Sequence, residues 1–84
     1  MSEDTRERVR RVLAENALKE INPGEIADNF PLIEYGVGID SVARLEFLVA
    51  LEEEFGVKLD ESEITPDFFE TVESISDYIS ERIR

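Results

Sequence analysis

An all-α fold is what this 84-residue sequence predicts: a small four-helix bundle of three main helices and one short one, with a long loop between the first two. Three observations carry that expectation. Apolar residues recur at helical spacings in three segments, no strand pattern of any length is present, and Pro and Gly stand where the helices must stop.

The first helix is expected from Asp4 to Glu20, with Val9, Val12, Leu13, Ala17, Leu18 and Ile21 along one face. Asp4 followed by Glu7 resembles a capping box, with Asp standing where Ser or Thr is usual. Pro23 and Gly24 close this element. Residues 25–40 have no clean period, but Ile26, Phe30, Leu32, Ile33, Tyr35, Val37 and Ile39 argue against disorder. They predict a long loop packed across the bundle and anchored by those side chains.

The second helix runs from about Ser41 to Phe55 and stops at Gly56. Phe47, Leu48, Leu51 and Phe55 form its core stripe. Residues 57–63 read as a short extended link. The stretch TPDFFE reads as a brief helix, with Thr65 as cap and Pro66 in its first turn. Thr71 caps the last helix, in which Val72, Ile75, Ile79 and Ile83 share one face. There are no internal repeats, and residues 1–84 read as one domain whose core is thin for want of length.

Composition narrows function. Nine Lys and Arg against 21 Asp and Glu leave a formal charge of −12, which disfavours nucleic acid and anionic lipid. The same field favours partners with basic patches. No Cys means no disulfide and no thiolate metal site; no His removes the commonest general base and metal ligand. The N-terminal stretch has no signal-peptide core and no run reaches membrane-spanning length, so a cytoplasmic chain without membrane insertion is expected.

Ser41, in VGIDSV, has three readings. A catalytic nucleophile would need a base and an oxyanion hole, and without His or Cys that reading is poor. A Ser or Asp at a helix start is commonly a cap worth ~1 kcal/mol, and local chemistry favours this. The third is an attachment point: a serine at a helix N-terminus after a long loop, near Gly36 and Gly38, is well placed to bear a phosphate ester.

Away from the core stripe, Val42, Leu45 and Val49 project with Glu46 and Glu53, and Glu52 and Glu54 extend the acidity. Taken singly these are boundary and solvated residues. Taken together they describe an apolar strip edged by acids, suited to transient docking of a basic partner. Arg44 falls on the core side, where its stem can lie on apolar surface and its head reach water; Glu34 is one possible partner. Asp60, Glu61 and Glu63 lack the spacing of a calcium loop and read as a solvated acidic turn. At least one of Phe68 and Phe69 is expected inside.

The run GIDSVARLEFLVALEEEFGVKL resembles the core of the acyl carrier protein family, whose attachment motif is commonly Asp-Ser-Leu after Gly and an apolar residue. ETVESISDYI is similar to the family's last helix. The resemblance implies a non-enzymatic carrier. It implies that Ser41, flanked by Asp40 and Gly38, bears 4′-phosphopantetheine from coenzyme A through a phosphodiester, so that the reactive sulfur belongs to the arm and no metal is needed. It further implies docking on a phosphopantetheinyl transferase and on acyl-handling enzymes through Asp40, Val42, Leu45, Glu46, Val49, Glu52 and Glu53. The acyl chain would shelter near Phe47, Leu51, Ile64, Phe68 and Ile75. The chain departs from the pattern at Val42, where Leu, Ile or Met is usual, and at Ala43 and Arg44, where fatty-acid carriers often have an acid. Ile39-Asp40 also departs from the Gly-Gly and His of peptidyl carriers. A free-standing, monomeric acyl or aminoacyl carrier is the expectation; the alternative is an unmodified acidic helical interaction module in which Ser41 only caps.

Overall fold

The structure, a computed structural model, describes residues 2–37 and 40–83. Three α-helices form the frame: α1 (Ser2–Asn16), α2 (Ser41–Phe55) and α3 (Val72–Arg82). Four single-turn 3₁₀ helices, Pro23–Glu25, Ile33–Tyr35, Glu61–Glu63 and Pro66–Phe69, lie in the connections. The described residues contain no strand. Helix α1 packs against both α2 and α3, and α3 also packs against the turn at Pro66–Phe69.

Two ends of α1 differ from expectation. The helix is already running at Ser2, so Asp4 lies inside its first turns and does not cap it. At the other end it stops at Asn16, four residues short of Glu20. The Asn16 amide donates to the Val12 carbonyl at 2.9 Å, and the N–H groups of Ala17 and Leu18 both close onto Leu13 O, at 2.8 and 2.7 Å. Leu13 O thus takes two donors as the helix ends, and Leu18 swings back into the core. Ala17, expected on the apolar face, is thereby outside the helix and exposed.

The long loop is packed across the bundle, but by only part of the expected set: Ile33 and Tyr35, expected among its anchors, are exposed at 38 and 57%, and Ile39 lies outside the described residues. Ile26, Leu32 and Val37 are buried pegs, and Leu32 N–H donates to Glu70 O at 3.0 Å. Asp28 does more than its sequence context indicates. Its carboxylate accepts from Arg6 at 2.9 Å and Arg10 at 2.6 Å on α1, and its carbonyl accepts from Glu73 N–H at 3.0 Å as α3 begins. Gly36 follows the 3₁₀ turn Ile33–Tyr35 at φ 88°, a left-handed conformation that a β-carbon would strain.

Helix α2 keeps its expected bounds. It ends in left-handed Gly56 (φ 67°), whose N–H donates to Glu52 O at 2.8 Å. Phe47, Leu48 and Leu51 are buried, Phe55 half-buried. Phe68 and Phe69 are both buried; they stack edge to face at 4.9 Å, and Phe69 meets Phe47 at 6.4 Å between centroids. An aromatic wedge therefore fills the space beside α2. Thr65 precedes this turn without a side-chain cap bond, Pro66 alone presetting its backbone. Thr71 caps α3 through a full capping box in which Ser74 is the reciprocal partner. Ile83 lies past the end of α3 and is 38% exposed, so the last apolar position expected of that face is not core.

The link between α1 and the end of α2 is electrostatic. Arg8 Nε donates to Glu54 Oε2 at 2.8 Å, its Nη2 to Glu54 O at 2.7 Å, and Arg11 Nη2 to the same Oε2 at 2.8 Å. Arg8 also lies 4.4 Å over the Phe55 ring. The Arg8 hydrogen bond, aided by Arg11, holds the Glu54 carboxyl below the usual glutamate range. A depressed folded-state pKa means stability present above the ordinary carboxylate range and lost as pH falls through the lowered value. Glu54→Ala should therefore cost about 1–2 kcal/mol at neutral pH. The difference from the parent should shrink in thermal melts taken at progressively lower pH; a gap unchanged at pH 3 would show that the pair contributes nothing through charge.

Candidate functional site

The site is built at the head of α2. Asp40 is the N-cap: its Oδ1 accepts from the N–H groups of Val42 at 2.9 Å and Ala43 at 3.1 Å. Its carbonyl takes the first helical bond, from Arg44 N–H at 2.8 Å. Ser41 is thus the first residue within the helix, exposed, and its hydroxyl forms no hydrogen bond among the described residues. The cap and the serine are separate residues. Gly38, expected to flank the site, lies outside the described residues, as does Ile39.

This geometry changes one expectation. Asp40 already occupies the N–H groups of Val42 and Ala43, so those donors do not cradle a phosphate at Ser41. A group on the Ser41 oxygen would project outward beside an existing carboxylate. The residues therefore fit a covalently held, solvent-facing phosphodiester, which needs an accessible primary hydroxyl and no enclosing pocket.

Below Ser41 an apolar strip faces solvent: Val42, Leu45 and Val49 are 67, 45 and 49% exposed. Glu46 and Glu53 are exposed at three- and four-residue spacings along it, and neither is ion-paired among the described residues. Glu52 stands apart from them. It is half-buried, and its Oε2 accepts the Leu59 N–H at 2.7 Å, tying the link after α2 back to the helix.

On the other flank Arg44 is half-buried and its Nη2 lies 3.1 Å from Glu61 Oε2, so its partner comes from the 3₁₀ turn Glu61–Glu63 and not from Glu34. The acidic turn is accordingly organised: Asp60 caps it by accepting from Ser62 N–H at 3.0 Å and its hydroxyl at 2.7 Å, and Glu63 meets Arg82 at 2.8 Å. No group of three or more acidic side chains among the described residues is arranged to hold a metal ion.

Of the five residues expected around an acyl chain, the structure does not make one chamber. Phe47, Leu51 and Ile75 are packed in the core. Phe68 is also buried and borders an acidic hollow with Asp77 and Glu81. Ile64 alone lines the cavity of about 320 Å³ beside Arg44, together with Ile33, Val37, Glu61, Pro66 and Phe69. Sequence reasoning missed Val37 and Phe69 there; both are apolar residues next to turn signals, which by themselves read as core.

A family model described as a phosphopantetheine attachment site matches residues 7–79, from within α1 to the last turns of α3. This chain belongs to the acyl carrier protein family. The acyl carrier protein of Zymomonas mobilis is 31% identical over 77 residues, covering 92% of this chain and 88% of that protein. No solved structure matches the chain. The carrier is therefore a non-enzymatic protein whose cofactor is phosphopantetheine and whose partners are acyl-handling enzymes. No helix among its described residues is long and apolar enough to cross a membrane.

Proposed function

We propose that the Ser41 hydroxyl holds 4′-phosphopantetheine from coenzyme A as a phosphodiester, and that the carrier presents acyl groups to enzymes of fatty-acid, polyketide or related biosynthesis. The observation that carries this reading is an exposed Ser41 hydroxyl free of the cap, at the head of an apolar strip edged by Glu46 and Glu53. When attached, the arm supplies a terminal thiol that holds the acyl group as a thioester. Asp40 starts the helix beneath it, so that the point of attachment is rigid while the oxygen faces out. The match to the Zymomonas mobilis protein over most of both lengths supports these residues acting together as one carrier domain.

Docking would use Val42, Leu45 and Val49 as the apolar contact and Glu46 and Glu53 as the steering charges, with Glu52 contributing less because Leu59 N–H engages it. The transferase and the acyl-handling enzymes would meet this face with basic patches. Incubation with coenzyme A and a broad-specificity phosphopantetheinyl transferase should add one arm to the intact mass. The double variant Glu46→Lys, Glu53→Lys should load on the order of tenfold more slowly at low salt, the gap narrowing as salt is raised. A parent chain that gains no mass would overturn the carrier reading, and equal rates at low salt would move the docking face elsewhere.

A further inference from the structure

The cavity beside Arg44 has a chemistry that an acyl chain of plain methylenes does not match. It lies next to α2 one turn beyond Ser41, since Arg44 follows Ser41 by three residues. Its volume, about 320 Å³, is at the small end of ligand-sized pockets. Val37, Ile64 and Phe69 supply apolar wall, and Arg44, Glu61 and Thr65 supply polar groups. Arg44 Nη2 is matched by Glu61 at 3.1 Å, but Arg44 Nε is buried and has no hydrogen-bond partner among the described residues.

A guanidinium offers five donors in a fixed fork, and its Nε–Nη edge donates two parallel bonds to one carboxylate. Glu61 stands at the Nη2 end and leaves Nε unmatched. An alkyl chain entering between Ile64 and Phe69 would bury that donor further without pairing it, which is unfavourable. An oxygen carried on the chain would pair it.

Resting on the carrier reading of Ser41, we propose that this cavity receives an acyl group bearing an oxygen acceptor along its chain, a keto oxygen or a carboxylate, and that Arg44 is the residue that selects it. Glu61 holds the guanidinium in place while the cavity is empty and gives way, wholly or in part, when such a chain enters.

The test loads the full chain with hexanoyl, 5-oxohexanoyl and adipoyl groups, using the corresponding coenzyme A thioesters and a phosphopantetheinyl transferase. Two readouts follow: the rate of thioester cleavage by hydroxylamine, and the ¹⁵N–¹H resonance of Arg44 Nε. The two oxygenated chains should be cleaved roughly three- to tenfold more slowly than hexanoyl, as one partly solvated charge-assisted hydrogen bond would give. Both should shift the Arg44 Nε resonance, and hexanoyl should not. Arg44→Met should remove or reverse the order, and Glu61→Gln, which keeps the shape of the turn and removes the competing charge, should increase protection of the adipoyl chain. Hexanoyl protected as well as the oxygenated chains, or an Arg44 resonance unmoved by all three, overturns the inference while leaving the carrier reading intact. A parent chain that takes no acyl-arm mass at all overturns both.

Discussion

Ser41→Ala is expected to fold as the parent does and to gain no mass from coenzyme A and transferase. Two residues divide the labour at the helix start. The bonds that satisfy the first N–H groups of α2 come from Asp40, whose Oδ1 accepts from Val42 and Ala43. Alanine at position 41 removes only an exposed hydroxyl and is a better helix former than serine, so the stability change should stay within about 0.5 kcal/mol. Asp40→Ala should behave the opposite way, losing about 1 kcal/mol of stability yet still accepting an arm. Intact mass and thermal melting of both variants measure the two effects separately. An arm on Ser41→Ala would shift attachment to another hydroxyl, and an unfolded Ser41→Ala would mean that serine, not aspartate, holds the helix start.

Leu51→Ala should have the largest effect on stability. Leu51 is fully buried on α2 in the same core cluster as Val9, Leu13 and Ile75. Truncation removes apolar contact and leaves a void that a thin core fills poorly, at a cost of about 2–5 kcal/mol. A domain of this size has roughly 4–12 kcal/mol in all, so the melting temperature should fall by more than about 10 °C. Ile64→Ala should cost far less, about 1 kcal/mol or under, because Ile64 is half-buried at the rim of the cavity beside Arg44. The contrast separates core from cargo space. A loaded Ile64→Ala chain should lose thioester protection with little change in melting, whereas a loaded Leu51→Ala chain should show the reverse balance; a Leu51→Ala variant that melts like the parent would mean the core closes around the gap.

The two predictions turn on features of unequal visibility. Helix α2 was legible because its start and stop are local: an acid before an apolar period, and a glycine able to adopt positive φ at its end. The capping box of α3 was half legible, since Thr71 is a standard signal while Ser74 in the reciprocal place is not. Helix α1 starts earlier and ends sooner than its apolar spacing indicates, for that spacing continues past Asn16; what ends it is the amide of Asn16 on Val12 and the return of Leu18 onto Leu13, bonds that periodicity does not encode. At the site, the strip of Val42, Leu45 and Val49 followed from spacing on one helix. Glu52 looked like its neighbours Glu53 and Glu54, yet the three glutamates hold Leu59 N–H, solvent, and a pair of arginines respectively.

By itself, then, the sequence determined the helical class, the bounds of α2 and the serine at its head, because capping chemistry and apolar period act within a few residues of chain; its likeness to known carriers showed the family. The tertiary structure alone decided that Asp40 caps and Ser41 does not, that Asp28 joins α1 to α3, and that Arg44 pairs with Glu61 over a cavity lined by Val37, Ile64 and Phe69. Charge pairs and cavities depend on which distant segments the fold brings within a few ångströms, and on which donors that packing leaves without a partner. Side chains with the same local surroundings in the sequence can therefore receive different work once the chain has closed around them.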